Sequence, residues 1–336
     1  MPSGTVWLPG IAIIARRLPA RLHGRVRFSS ENTVTKQFKN AGARVKFNRV
    51  LAIPVLVAAV ASLTLTACGS SDDSAGGNTV RIGTTESDPH WDVFKDEAKK
   101  QGINLNIVHY SDYSQPNTAL AQKQIDVNLF QHLQFLGQYN VANNQDLTPI
   151  GATQIVPLGL YSKKHKTVGE IPNGGEIAVP NDPTNQARAL FVLQAAGLLK
   201  LKDNVNQPTP ADIDKGASKV KVTPVDAAQT ALSLESVDGS VVNNTFLLKS
   251  GIDPKSALYK DDPANPGAQP YINAFVTRAA DKNNATYLKL VEIFHGAEVQ
   301  KSVQEDSKGT ALEVKKSGPE LEPILARVQQ TIRDTK

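Results

Sequence analysis

The sequence predicts an α/β protein, and three observations support that fold class. Short apolar runs of strand type alternate with segments of helical spacing from residue 79 onward, which favours parallel sheets flanked by helices. Asp-Pro pairs precede two of the helical segments, a position typical of a helix start. The body spans residues 79–336, which is long enough for two lobes of ordinary size.

The predicted strands are short apolar runs distributed over most of the body. They cover residues 79–85, 103–110, 127–130, 176–180, 220–225, 240–246 and 271–277. In open α/β sheets, ligands bind beyond the carboxyl ends of the strands. A binding site is therefore expected in the loops that follow these segments.

The predicted helices lie between and after these strands. Asp-Pro pairs at residues 88–89 and 182–183 each supply an N-cap and a first-turn proline, and Gly102 and Gly197 end the two helices that follow. Two amphipathic helices are predicted near the C-terminus, over residues 285–296 and 319–335.

The net charge of +5 is distributed unevenly along the chain. Residues 1–67 contain ten basic side chains and one acid, Glu31, so residues 68–336 carry a net charge of −4. The basic excess lies entirely in the N-terminal segment, and net charge gives no support for nucleic-acid binding. The single cysteine excludes both a disulfide framework and a cysteine-ligated zinc site within the chain.

The N-terminal segment is predicted to be a secretory signal. Residues 51–67 contain no charge and follow Lys46 and Arg49. About 17 such residues are marginal for crossing the ~30 Å hydrocarbon core, whereas a basic flank and small residues at the end are typical of a signal peptide. The segment ends in Leu-Thr-Ala-Cys, which resembles the bacterial lipoprotein signal. This resemblance implies lipidation of Cys68, with palmitate among the acyl chains.

The chain is accordingly divided into a leader and signal peptide over residues 1–67 and a flexible tether over residues 68–78. Residues 1–44 precede a signal that is complete from about residue 45, so we interpret them as a start-site extension or a long leader. The tether is rich in Gly, Ser and Asp and cannot bury apolar surface. Because two acyl chains hold a protein firmly on a membrane, we expect a lipid-anchored protein on the extracytoplasmic face of the cell membrane.

Enzyme signatures are missing from the sequence. It contains no Gly-x-Ser-x-Gly elbow, no Gly-x-x-x-x-Gly-Lys loop and no His-Glu-x-x-His motif. The five histidines of the body lack the paired helical spacing of metal ligands. We therefore expect a protein that is not an enzyme and that has neither a cofactor nor a metal site.

Three strings in loops after predicted strands carry a family resemblance: DVNLFQH, VPNDPTNQARAL and PYINAFVTR. With them, the chain resembles the methionine-binding lipoproteins of the NlpA type, the substrate-binding components of methionine ABC importers. The resemblance implies a two-lobed periplasmic-binding-protein fold of type II that closes over one amino acid. It also implies a monomer that works with ABC permease and ATPase subunits. Lobe 1 is expected over residues 79–165, lobe 2 over 166–268, and a return to lobe 1 over 269–336.

The resemblance also implies which residues contact the ligand. They are Tyr113, Phe130, His132, Phe135, Arg188, Asn243 and Asn273. At two places the chain departs from the family pattern. Phe135 stands where the family usually has a tyrosine, and Asp88-Pro89-His90 stands where many members have Gly-Pro-His.

These residue types suit a zwitterionic thioether ligand such as L-methionine. A planar guanidinium at Arg188 can meet the ligand carboxylate with two parallel hydrogen bonds. The amide oxygens of Asn243 and Asn273 can accept from the ligand ammonium. Aromatic edges attract a polarisable sulfur by ~0.3–1.5 kcal/mol each.

Each assignment has a structural alternative. The rings of Phe130 and Phe135 can belong to the core, and His132 can be a histidine with a structural role only. Tyr113 can be a turn residue, and Trp91 is expected to pack in the core. The two asparagines can cap turns instead, with the adjacent Asn244 as the ligand contact.

Three alternatives for the function remain open. The same scaffold can bind another amino acid, a methionine-containing dipeptide or a sulfur compound. It can also carry an enzyme, for which His132 is the one candidate in the expected site. A surface lipoprotein used for adhesion or scaffolding is the third alternative.

Overall fold

The computed structural model describes residues 78–335. The leader, the signal, Cys68 and nearly all of the predicted tether lie outside these residues. Within residues 78–335, no helix is both long enough and apolar enough to cross a membrane.

The described chain alternates strands and helices, joined by short 3-10 turns. The strands are β1 (Asn78–Thr84), β2 (Ile103–His109), β3 (Val127–Asn128), β4 (Thr148–Ala152), β5 (Gln154–Ile155), β6 (Gly159–Tyr161), β7 (Glu176–Pro180), β8 (Lys221–Val225), β9 (Gly239–Val242), β10 (Tyr259–Lys260), β11 (Ala274–Thr277) and β12 (Leu312–Glu313). The helices are α1 (His90–Lys100), α2 (Pro116–Ala121), α3 (Leu133–Asn143), α4 (Pro183–Ala195), α5 (Thr230–Ser233), α6 (Ala285–Phe294), α7 (Ala297–Asp306) and α8 (Gly318–Asp334).

The strands form two five-stranded sheets and one small pair. The first sheet has the order β2-β1-β3-β11-β4, and the second has the order β10-β6-β9-β7-β8. The pair joins β5 to β12. Two five-stranded sheets in one body give the chain two lobes.

Both large sheets are mixed, so the expectation of parallel sheets is wrong in part. Strand β1 runs parallel to β2 and β3, and β7 runs parallel to β8 and β9. Strand β11 is antiparallel to β3 and β4, and β6 is antiparallel to β9 and β10. Strands β6 and β11 are the first strands of their sheets after the chain has changed lobes. They do not follow a βαβ crossover within the sheet, which is the connection that imposes a parallel direction.

We define lobe 1 by the first sheet with α1–α3 and α6–α8, and lobe 2 by residues 159–260. The chain crosses between the lobes at residues 153–158 and returns at residues 261–273. The expected end of lobe 1 at residue 165 is therefore late, because β6 already pairs with β9 of the second sheet. Residues of β6 are apolar like those of β4, and nothing in their composition marks a change of sheet.

The core of lobe 1 is built on aromatic rings. The ring centroids of Phe94, Phe275 and Phe294 lie 5.6–6.0 Å apart in edge-on arrangements. Trp91 is buried and packs 6.0 Å from Phe94, which confirms its predicted place in the core. The larger buried cluster of lobe 2 is aliphatic instead and includes Leu190 of α4.

The two predicted Asp-Pro helix starts have different outcomes. Asp182 is the N-cap of α4, and its side chain accepts from the backbone N–H of Asn185 at 2.9 Å, as expected. Asp88 makes no such cap, so that prediction is wrong. Helix α1 begins at His90, and the carboxylate of Asp306 accepts from the His90 backbone N–H at 2.9 Å. A side chain more than 200 residues away thus takes the acceptor role expected from Asp88.

Two predicted strands differ from the structure by three or more residues at one end. The predicted strand over residues 240–246 ends at Val242 and is followed by a 3-10 turn, Asn244–Phe246. The predicted strand over residues 271–277 begins only at Ala274, after a 3-10 turn over Pro266–Tyr271. Both differences place polar residues in the turns beside the cleft.

Helix α3 is one of the elements that the sequence analysis missed. It contains a glycine and two asparagines, which are poor helix formers. Its stability comes from packing, because a Cβ at Gly137 would lie only 2.6 Å from a methyl carbon of Val328 in α8. The close approach of these helices positions the N-terminus of α3 beside the cleft.

Candidate functional site

A cavity lies between the two lobes, in a region that holds about 460 Å³ of non-atom space, part of it open to solvent. All seven predicted contact residues line it. Lobe 1 contributes Glu86, Tyr113, Phe130, Gln131, His132 and Phe135. The two crossing segments contribute Gln154, Val156 and Asn273. Lobe 2 contributes Asn185, Arg188, Asn243, Asn244 and Thr245.

Three rings form an aromatic wall on the lobe 1 side. The ring centroids of Tyr113, Phe130 and Phe135 lie 5.7–6.1 Å from one another, in tilted and edge-on arrangements. Each ring comes from a different segment: a loop after β2, the end of β3 and the first turn of α3. Phe130 is buried and also lines the cavity, so its burial does not exclude the predicted ligand contact.

Tyr113 extends this wall across the gap between the lobes. Its ring centroid lies 5.3 Å from that of Phe246, which belongs to a cluster of buried lobe 2 residues. Burial raises the pKa of the Tyr113 hydroxyl, so this group stays protonated at neutral pH. An uncharged tyrosine in this place keeps the aromatic side of the cavity apolar.

His132 is the N-cap of α3 and is hydrogen-bonded through both ring nitrogens. The backbone N–H of Phe135 donates to Nδ1 at 3.1 Å, so the ring proton lies on Nε2. Nε2 donates to Oδ1 of Asn185 in lobe 2 at 3.3 Å. Burial, followed by the charge of Arg188, lowers the pKa of His132 to about 3. A neutral imidazole with both nitrogens engaged is poorly suited to general acid or base catalysis.

Asn185 connects His132 to a polar chain in lobe 2. Its Oδ1 also accepts from Nδ2 of Asn243 at 2.9 Å. Its Nδ2 lies 3.1 Å from both carboxylate oxygens of Asp182, the N-cap of α4. The sequence analysis did not select Asn185. The available signal was its spacing, because the cap residue Asp182, Asn185 and Arg188 recur every three residues.

Arg188 lies one turn further along α4 and is 4% exposed. Its Nε donates to Asp261 Oδ2 at 2.6 Å, and its Nη2 donates to Asp261 Oδ1 at 3.1 Å and to the carbonyl of Val156 at 2.9 Å. The guanidinium carbon lies 4.1 Å from the centroid of the Tyr271 ring. These contacts fix the guanidinium beside the cavity.

This arrangement corrects the expected two-pronged contact between Arg188 and a ligand carboxylate. A fork needs Nη2 together with Nε or Nη1, and both N–H groups of Nη2 are already used by Asp261 and Val156. Nη1 makes no hydrogen bond with any residue of the described chain, so its two N–H groups remain for a ligand. Asp261 and Tyr271 support Arg188, and the sequence analysis selected neither.

Two buried amide oxygens beside the cavity lack a donor. Oδ1 of Asn243 and Oε1 of Gln154 have no hydrogen-bond partner within residues 78–335. Asn243 precedes a 3-10 turn but makes no side-chain cap bond there, so the turn-cap alternative is wrong for this residue. Asn273 is held mainly by its backbone, which pairs with His132 and Gln154.

The described residues show no metal centre. No group of three or more His, Cys, Asp or Glu side chains within residues 78–335 has an arrangement that can hold a metal ion. The cavity instead combines aromatic rings, one guanidinium and unpaired amide oxygens. Such a set suits a small ligand with an apolar part, an anionic group and hydrogen-bond donors.

Known proteins with similar sequences share this architecture. A family model described as NlpA lipoprotein matches residues 80–315. The D-methionine-binding lipoprotein MetQ of Escherichia coli K12 is 33% identical over 274 residues, which cover 80% of this chain and 98% of that protein. The crystal structure of protein PG110 from Staphylococcus aureus is 40% identical, with a TM-score of 0.71 over 74% of this chain and 99% of that one.

Two further solved structures are of proteins described as methionine-related. The substrate binding protein of a methionine transporter from Streptococcus pneumoniae is 38% identical, with a TM-score of 0.66 over 70% of this chain and 95% of that one. A nutrient binding protein from Burkholderia cenocepacia, bound to methionine, is 34% identical, with a TM-score of 0.65 over 70% of this chain and 99% of that one. These likenesses confirm the expected two-lobed α/β fold and the family resemblance.

Proposed function

The chain belongs to the NlpA lipoprotein family, and on that premise we propose that it is a solute receptor that binds methionine between its lobes and delivers it to an ABC permease. The observation that carries this proposal is the composition of the cavity. Aromatic rings line one lobe, and a buried guanidinium with free N–H groups lies on the other. The receptor is not an enzyme, in keeping with its family and with the engaged, neutral His132.

The three chemical parts of methionine match three parts of the cavity. Nη1 of Arg188 can donate a charge-assisted hydrogen bond to the carboxylate, which would otherwise be a costly buried charge. The free amide oxygen of Asn243 can accept from the ammonium. The thioether can lie against Tyr113, Phe130 and Phe135, where a sulfur beside an aromatic edge gains ~0.3–1.5 kcal/mol per ring. Asn273 completes the proposed contact set at the edge of the cavity.

We also propose how binding is coupled to closure. The lobes already touch through the rings of Tyr113 and Phe246 and through the hydrogen bond between His132 and Asn185. A ligand that bridges the rings of one lobe and the guanidinium of the other binds the closed arrangement better than an open one. This difference in affinity is what shifts the receptor toward closure. The closed form is then the form that the permease recognises.

The cellular setting forms part of the proposal. Lipidation at Cys68 and the tether over residues 68–78 would hold the receptor at the extracytoplasmic face of the cell membrane. The proposed partners are the permease and ATPase subunits of the importer, with the receptor acting as a monomer. Lobe 2 then comprises residues 159–260, and the flanking segments belong to lobe 1 or cross between the lobes.

The proposal is tested by ligand binding to the purified protein. In a thermal-shift panel of the twenty amino acids, we expect methionine to raise the melting temperature most, and titration calorimetry should give one site per chain. D-methionine should be titrated beside L-methionine, because relatives carry the D-isomer in their names. A shift only with another amino acid, a dipeptide or a sulfur compound would establish the alternative ligand. No shift with any small molecule would contradict the receptor function.

A further inference from the structure

Two unpaired acceptors belong to residues that line the ligand cavity. Oδ1 of Asn243 and Oε1 of Gln154 are buried and have no donor within residues 78–335. Leaving a buried acceptor unpaired costs about 1–3 kcal/mol, so two of them beside one cavity indicate a ligand rich in donors. Gln131 provides the contrast. It lines the same cavity, but its Nε2 donates to Asn117 and Asn128 and its Oε1 accepts from Asn117.

Glu86 is the one carboxylate among the residues that line this cavity. Its Oε2 accepts from the indole N–H of Trp91 at 3.3 Å and lies 3.6 Å from Nε2 of His90. Its Oε1 makes no hydrogen bond with any described residue. Glu86 lies in the first loop, next to the Asp88-Pro89-His90 sequence that departs from the family pattern.

The charge of Glu86 is not needed to neutralise His90. Asp306 already lies 2.9 Å from Nδ1 of His90 and also accepts from its backbone N–H. Burial lowers the pKa of His90, but the hydrogen bonds to Asp306 and Glu86 outweigh burial and raise this pKa to about 9. The pair of His90 and Asp306 is thus balanced without Glu86, whose negative charge remains available to the cavity.

We propose that Glu86, Gln154 and Asn243 form a subsite for the ligand ammonium, in which the Glu86 carboxylate supplies the counter-charge. Three free acceptor atoms match the three N–H donors of a primary ammonium. The subsite selects ligands with a free cationic amino group against analogues that carry a neutral group at the same carbon. Arg188 then meets the anionic end of the zwitterion and Glu86 the cationic end. This inference rests on the proposed receptor function and extends it to the basis of selectivity.

The test compares methionine with its 2-hydroxy analogue, in which a hydroxyl replaces the ammonium. Titration calorimetry is carried out on the wild type, on Glu86→Gln and on Glu298→Gln, which removes one exposed carboxylate of α7 as a charge-matched control. In Glu86→Gln we expect about tenfold weaker methionine binding and unchanged binding of the hydroxy acid, because a charge-assisted hydrogen bond becomes a neutral one. The control should keep the wild-type ratio of the two affinities.

A second variant makes the test independent of how Glu86→Gln folds. Gln154→Leu removes a free acceptor. It should also lower the ratio of the affinity for methionine to the affinity for its hydroxy analogue several-fold. If the ratio of the two affinities is the same in the wild type and in these variants, the subsite is wrong. The inference is also overturned if no primary ammonium compound binds the wild type. Binding of an amino acid other than methionine contradicts only the proposed ligand, and the same ratio is then measured with that amino acid and its hydroxy analogue.

Discussion

Apart from the Glu86 carboxylate of lobe 1, the two lobes contribute different chemistry to one cavity. Lobe 1 supplies the rings of Tyr113, Phe130 and Phe135, and lobe 2 supplies the guanidinium of Arg188 and the amide of Asn243. Rings provide contact area and dispersion but little orientation, whereas a buried charge fixes the orientation of a ligand. Neither half suffices alone, so tight binding requires both lobes around the ligand at once.

The two half-sites also arise differently from the sequence. The polar residues Asp182, Asn185 and Arg188 lie on one helix, at a spacing that places them on the same side. The rings of lobe 1 come from three segments that the sheet and α3 bring together. A substitution in α4 should therefore affect several polar contacts, while a substitution in the aromatic wall should act more locally. The following predictions test this contrast.

The largest effect is expected from Arg188→Ala. Removing one partner of a buried charge pair costs about 2–5 kcal/mol, so methionine affinity should fall at least ~30-fold. Arg327→Ala, which removes an exposed arginine of α8, is the control and should bind as the wild type does. Calorimetry gives the affinities, and circular dichroism reports whether each variant is folded.

The Arg188→Ala variant also removes the ion-pair partner of Asp261. The backbone N–H of Leu158 still donates to Asp261 at 2.8 Å. We therefore expect a lower melting temperature together with the affinity loss. A folded Arg188→Ala protein with wild-type affinity would show that the carboxylate of the ligand binds elsewhere.

The next effect is a loss of stability in acid that originates at His132. The folded-state pKa of His132 is about 3, whereas the ordinary value is 6.5. Between these values the unfolded chain binds a proton that the folded chain does not bind. The stability contribution of the neutral imidazole is therefore lost as the pH falls from about 6.5 toward 3, by up to ~1.36 kcal/mol per pH unit.

The His132→Gln variant isolates this contribution. Its amide can still donate to Asn185, but it does not titrate. Urea unfolding at pH 6.5 and pH 5 should show that the wild type loses more free energy of unfolding than the variant, by up to ~2 kcal/mol. Other titrating groups are common to both proteins and cancel in the difference. Equal losses in the two proteins would mean that His132 titrates normally in the folded state.

A smaller effect is expected from the aromatic wall. Phe130→Leu keeps an apolar side chain but removes the ring that is proposed to contact the ligand sulfur. Because leucine is smaller than phenylalanine, this change at a buried position should also cost about 0.5–3 kcal/mol of stability. Methionine affinity should fall about tenfold, which corresponds to one or two ring contacts. If Phe130→Leu lost more methionine affinity than Arg188→Ala, the assignment would be reversed. Lobe 1 would then orient the ligand, and lobe 2 would provide contact area.

The sequence predicted the local features of this site better than its long-range features. Asp182 and Arg188 could be predicted because a helix start and a family string mark them within a few residues. Glu86, Gln154 and Asp261 were missed because their roles depend on contacts between distant segments. The bond between Arg188 and Asp261, for example, spans 73 residues. Strand β6 shows the same limit for the fold, since its apolar residues do not reveal which sheet it joins.

The smallest effect concerns a contact between the lobes outside the cavity. Lys308 of lobe 1 lies 2.8 Å from Asp253 of lobe 2, and both side chains are 46% exposed. Such exposed pairs contribute at most ~1 kcal/mol, so Lys308→Gln should weaken methionine binding less than ~5-fold. Lys282→Gln removes an equally exposed pair, with Glu322, within lobe 1 and serves as the control. Affinities measured at low and high salt should differ for Lys308→Gln alone, because only that pair joins the lobes. If both variants changed methionine affinity equally, closure would depend on the contacts within the cavity and not on ion pairs at the surface around it.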